Sequence, residues 1–221
     1  MNKHNMEVTA KIITGAETGG QKYGCGRWDD VKIPKIGREV TLTLGAYQFY
    51  AGEGRELLRM IFTADPAAYP QSLVECLNFD WAGRAWVPNE SIRRSIAKTI
   101  SSDLGIKKQV ELFCDIQLPA YIKRAEDFGV HDDKAQIMWV EIEHVGGLKA
   151  AKRIFARCNG DYTLDRIMWS LKQDQYDRSS DNQAGDELYW SRHVYCRSCI
   201  EKYAAGGSVS DFDGVYIKVG D

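Results

Sequence analysis

Glu17, Glu39 and Thr43 have the side-chain types and spacing to break a bond between two sugars. Glycoside hydrolysis uses two carboxyl groups, one to protonate the leaving oxygen and one to activate water or attack the sugar. A nearby hydroxyl such as Thr43 would then be expected to hold the attacking water. Met6, Ala10, Ile13 and Glu17 fall at i, i+4, i+7 and i+11, so on a helix the Glu17 carboxyl joins the apolar, inward stripe. Poor solvation there and the partial negative charge of a helix C-terminus both favour the protonated form that a general acid needs. Glu39, Thr41 and Thr43 alternate with Val40, Leu42 and Leu44, which puts a second carboxylate and two hydroxyls on one strand face. Each feature also has a plain reading: a glutamate snorkelling from a helix end, and an ordinary solvated strand face.

The elements that must position these groups follow from pattern. A short helix is expected over residues 5–16, ending at Thr18-Gly19-Gly20. Residues 21–45 carry glycines and Pro34 and finish in the alternating strand over 40–44. Helical periodicity resumes over 51–62, with Leu57, Leu58, Ile61 and Phe62 as its apolar set, and again over 91–101 through Ile92, Ile96 and Ile100. A longer helical segment over 107–128 should bend or break at Pro119. Helices over 134–145, 147–157 and 162–171 are separated by Gly146-Gly147 and Asn159-Gly160. A polar loop over 173–186 and a last helix over 187–204 complete the pattern. The expectation is a mainly α fold with a small β-hairpin after the first helix. It comprises one domain over 1–205 and a Gly-rich tail or linker stub over 206–221.

Composition narrows the function classes. A net charge of −2 provides no basic stripe for nucleic acid. No run approaches the roughly 18 apolar residues of a membrane span. The polar N-terminus reads as lacking a signal peptide, so synthesis in the cytoplasm is expected, with any cell-wall target reached after release. The six cysteines lack a disulfide framework spacing and read as reduced thiols. Six tryptophans and eleven tyrosines supply core, and also rings able to stack on sugars.

Glu17-Thr18-Gly19-Gly20, Tyr23, the run from Thr43-Leu44-Gly45 through Ala46-Tyr47-Gln48-Phe49, and Gly54-Arg55-Glu56-Leu57-Leu58 together resemble the lysozyme-like superfamily. The likeness is nearest to phage and prophage peptidoglycan hydrolases related to the chitosanases. It continues through Ala150-Ala151-Lys152-Arg153-Ile154 and the segment from Tyr189-Trp190-Ser191-Arg192 to Tyr203, so it spans about residues 7–204. It implies a bilobed, mainly helical α+β fold. It makes Glu17 the acid and Thr43 the hairpin hydroxyl, with Tyr23 and Tyr47 on the substrate side. Gln48, polar among aromatics, either hydrogen-bonds a sugar, orders Glu17 or caps the loop-to-helix junction.

The resemblance also departs from the family at one position. In chitosanases an Asp stands five residues before the Thr, where this chain has Arg38. Glu39 is one residue closer, and Asp29 and Asp30 lie earlier in the same insertion. The base is therefore open between these, and a lytic-transglycosylase mechanism using Glu17 alone remains an alternative. Peptidoglycan glycan strands are the expected partner, chitosan the nearest rival substrate, and a non-catalytic phage structural protein the rival of another class. A monomer without metal or cofactor is expected. Cys196-Arg197-Ser198-Cys199 with His193 lacks the second ligand pair of a closed zinc site. Glu141, Glu143 and His144 cluster on one helix, where a structural pairing is the favoured reading. No dinucleotide loop or Gly-x-Ser-x-Gly elbow is present.

Overall fold

The computed structural model describes residues 1–17, 27–33, 41–81, 87–178, 183–204 and 206–207. Tyr23, Glu39 and the tail beyond residue 207 lie outside these. The chain divides into two compact units, residues 1–23 with 116–221, and residues 24–115. Among the described residues no helix is long and apolar enough to cross a membrane.

The first unit is helical and is built from both ends of the chain. It contains α1 (Lys3–Glu17), α6 (Leu118–Asp127), α7 (Asp133–Arg157), α8 (Leu164–Arg178) and α9 (Gln183–Tyr203), numbered with the helices of the second unit given below. The N-terminal half of α7 is the central pillar, because every residue from Ala135 through Glu143 is buried. Helices α1, α6, α8 and α9 all pack on α7. Its core joins Val8 and Ile12 of α1 to Ile137, Met138 and Trp139 of α7 and to Tyr195, Cys196 and Ile200 of α9. A helix buried all round carries no polar stripe, so its glutamates must find counter-charges. Asp132 caps the N-terminus of α7 by accepting from the Ala135 N–H at 3.0 Å. The expected break at Gly146-Gly147 is a kink within α7, where Gly147 takes φ 76°.

One expectation fails in this unit. Much of the predicted polar loop over 173–186 is helix, since α8 runs to Arg178 and α9 starts at Gln183. Arg153 donates to both carboxylate oxygens of Asp174 at 2.6 and 2.9 Å. That clamp gives the polar end of α8 a hold on α7 that hydrophobic periodicity does not register.

The second unit holds a three-stranded antiparallel sheet, β1 (Val31–Lys32), β2 (Thr43–Leu44) and β3 (Phe49–Tyr50), in the order β1-β2-β3. Thr43 pairs with Lys32 on one side and Tyr50 on the other. Helices α2 (Gly52–Ala64), α3 (Gln71–Val74), α4 (Glu90–Ile100) and α5 (Asp103–Val110) follow, with 3₁₀ turns at Pro66–Ala68 and Glu75–Asn78. The strands are shorter than the alternation over 40–44 predicts. Thr41, Leu42, Thr43 and Leu44 are all buried, so the threonine face is covered rather than solvated. A π-helical stretch, Glu111–Gln117, precedes Pro119 at the start of α6. Proline lacks the N–H that would bond the carbonyl four residues back and crowds that carbonyl, and the wider turn accommodates both.

Candidate active site

Glu17 is the last residue of α1 and its side chain is 14% exposed. The helix reaches this place because Gly15 lets α9 come close: a Cβ at Gly15 would stand 2.0 Å from the Tyr195 hydroxyl. Arg192, about one turn before Tyr195 on α9, thereby meets the end of α1. Its Nη2 lies 2.7 Å from Glu17 Oε1. The contact is an ion pair out of hydrogen-bond line, because this buried Nη2 has no aligned acceptor. His144 of α7 brings its Nε2 to 3.6 Å from the same oxygen.

Behind Glu17 stands a second carboxylate. Glu141 of α7 is fully buried. Arg192 Nε donates to its Oε1, and His193 Nδ1 donates to its Oε2 at 2.9 Å. Burial opposes ionisation of Glu141, but the charges of His193 and Arg192 and their hydrogen bonds outweigh it and hold the carboxyl at about 2. Burial also works against the Arg192 charge, and Glu17 and Glu141 together more than restore it. One turn on, burial pushes the Cys196 thiol well above its ordinary range, so that sulfur stays protonated. The arrangement is a line of alternating charge, from Glu17 through Arg192 to Glu141 and His193.

A second network supports the first from α6. The Tyr121 hydroxyl lies 3.4 Å from His144 Nδ1. The Arg124 guanidinium sits 5.0 Å over the Tyr121 ring and donates to Glu143 at 2.6 Å. Trp139 Nε1 donates to the other Glu143 oxygen at 2.7 Å. Each of the three clustered residues on α7 therefore has a distinct partner. Glu141 holds α9, Glu143 holds α6, and His144 reaches Glu17.

The predicted residues of the second unit are placed differently from expectation. Tyr47 is fully buried, stacked on Phe113 at 4.3 Å between centroids and edge-on to Trp28, so its ring is core and has no face for a sugar. Gln48 spends its amide on the turn, donating to Asp30 Oδ2 at 3.0 Å and to the Gly45 carbonyl at 2.7 Å. It does not cap the loop-to-helix junction, since the N-terminus of α2 has no side-chain cap. Asp30 cannot swing freely as a base. It pairs with Arg27 at 2.9 Å and Lys32 at 3.6 Å, takes Gln48, and its carbonyl accepts from Gly45 N–H. Asp29 is exposed. Thr43 sits in β2, 7% exposed.

Sequence reasoning missed Gln109 of α5. Its Oε1 accepts from Ala46 N–H at 2.8 Å, and its Nε2 donates to the Trp28 and Ile100 carbonyls at 3.0 and 2.9 Å. It thus fixes the turn that follows Thr43. It also missed Arg192 and considered His193 only as a metal ligand. The available signal was two glutamates inside the otherwise apolar run of α7, which demands cations from elsewhere in the chain. Among the described residues no group of three or more His, Cys, Asp or Glu side chains is arranged to hold a metal. No family model and no curated protein sequence matches this chain.

Proposed function

We propose that the protein is a glycosidase that cleaves the glycan strands of bacterial peptidoglycan, with Glu17 as general acid. The observation that carries this reading is Glu17 itself, a mostly buried carboxyl at the end of α1. It is fixed by an arginine that is in turn anchored to a deeper carboxylate held ionised at neutral pH. Such an anchor holds an acid in one orientation, which is what proton delivery to a glycosidic oxygen requires. Glu141 has no exposure and is held in its charged form by Arg192 and His193, while the Glu17 side chain stays partly exposed.

In this reading Glu17 protonates the leaving oxygen as the bond between the anomeric carbon and that oxygen breaks. Water adds to the anomeric carbon. A base takes that water's proton. The protein works as a monomer and reaches the wall after release from the cell. The test is purified protein and Glu17→Gln on Gram-positive and Gram-negative walls and on chitosan, with product masses. Clearing by wild type and its loss in the variant support the reading, and equal clearing by both refutes the acid. Anhydro ends would redirect it to transglycosylation, and chitosan cleavage alone to a chitosanase. No cleavage of any of these substrates by wild type would favour a non-catalytic structural role.

A further inference from the structure

A guanidinium 2.7 Å from Glu17 favours a charged neighbour, so an acid at that place needs its proton stored within reach. We infer that His144 is that store, a positioning residue whose imidazolium and the Glu17 carboxylate share one proton. This inference rests on the reading of Glu17 as the acid.

The geometry supplies each part. His144 Nε2 is 3.6 Å from Glu17 Oε1, one small side-chain adjustment from hydrogen-bond length. The imidazole is 4% exposed, so bulk water does not readily replace it as the neighbour of that oxygen. Tyr121 at Nδ1 fixes the ring so that Nε2 faces Glu17. His144 faces polar and charged groups from several elements. From α1 it meets Glu17. From α6 it meets Tyr121, whose ring carries Arg124. From α9, Arg192 reaches the same Glu17 oxygen and His193 is turned to Glu141. On its own helix, Glu141 is committed to Arg192 and His193, and Glu143 to Arg124 and Trp139.

The proton balance closes over one turnover. A bound glycan excludes water, which costs an ion pair more than a neutral pair and moves the proton from His144 Nε2 to Glu17 Oε1. The remaining ring proton stays on Nδ1, where the Tyr121 hydroxyl accepts it. Glu17 passes its proton to the leaving oxygen as the C–O bond breaks. The attacking water sheds one proton, and solvent returns one to His144.

Two measurements on the full-length protein test this. Imidazole ¹⁵N spectra of wild type and Glu17→Gln are followed from pH 5 to 8 without substrate. The His144 resonances should trace different curves, and superimposable curves overturn the shared proton. The second is the pH–rate profile of wild type, His144→Gln and Tyr121→Phe on purified wall glycan. The glutamine variant should lose about tenfold more rate at pH 7.5 than at pH 5, a part of a full general acid–base contribution. Tyr121→Phe should lose less, in the same direction. A loss of the same factor at every pH marks a merely structural role and overturns the inference. Wild type inactive on every glycan overturns the proposed function instead, leaving the spectra to decide the shared proton.

Discussion

Replacing Glu141 by glutamine keeps the shape of the side chain and removes one buried charge. Its folded-state carboxyl is held at about 2 against an ordinary 4.5. At about 1.4 kcal/mol for each tenfold, that difference corresponds to about 3 kcal/mol of stability at neutral pH. Breaking a buried ion pair from one side costs about 3–5 kcal/mol, a second route to the same size. The glutamine also turns an amide N–H toward either Arg192 Nε or His193 Nδ1, both of which donate to Glu141. For a chain of this length the melting midpoint should fall by roughly 10 °C. Because the folded-state value is depressed, the charge stabilises the fold above 4.5, and this is lost as pH falls toward 2. The stability gap between wild type and Glu141→Gln should therefore be widest at pH 6–7 and should narrow steadily below pH 4.5. Urea unfolding at pH 7, 5, 4 and 3 measures it. A gap below about 1 kcal/mol at pH 7, or one that does not change with pH, would refute the charge line that anchors Arg192.

Three further outcomes test other links. Glu17→Gln should lower wall cleavage by about 10²–10⁴-fold. Its far-ultraviolet circular dichroism should be unchanged, and retained cleavage would remove Glu17 from the chemistry. Gly15→Ala places a methyl carbon 2.0 Å from the Tyr195 hydroxyl, so α1 and α9 must separate. A loss of about 1–3 kcal/mol in urea unfolding is expected from such overpacking. Tyr47→Ala should cost about 3–5 kcal/mol by emptying the space against Phe113 and Trp28. Tyr47→Phe should cleave wall glycan like wild type, and a raised KM in that variant would reinstate Tyr47 as a sugar contact.

The mainly helical fold and its small sheet were legible because apolar periodicity and glycine breaks are local signals. The Gly146-Gly147 break became a kink at Gly147, and the segment before Pro119 widened into a π-helical stretch. The end of α8 was not legible. Gln173, Asp174 and Asp177 read as loop by polarity, but Asp174 takes Arg153 across from α7, and a partner in another helix leaves no trace in local sequence. Tyr47 and Gln48 show the same limit from the other side. An aromatic beside a polar residue in a turn suits both a sugar platform and a packed corner. Phe113 and Asp30, each far along or back in the chain, decide for the corner.

Glu17 illustrates how far periodicity reaches and where it stops. The stripe through Met6, Ala10 and Ile13 correctly turns its carboxyl inward, since the side chain is mostly buried. Periodicity describes that interior as apolar, yet the nearest groups are a guanidinium and an imidazole. Arg192 stands 51 residues from Glu141, so only tertiary packing brings it into place. The constraint was nevertheless present in composition. A helix whose residues from Ala135 through Glu143 are all buried contains two glutamates, and buried carboxylates require cations. Satisfying Glu141 draws Arg192 and His193 inward, and the Arg192 charge is shared over its whole guanidinium. Its far end meets Glu17 as an ion pair. Glu17 is thus positioned by the way the fold neutralises a charge in its own core, so the stability of α7 and the orientation of Glu17 are one design rather than two.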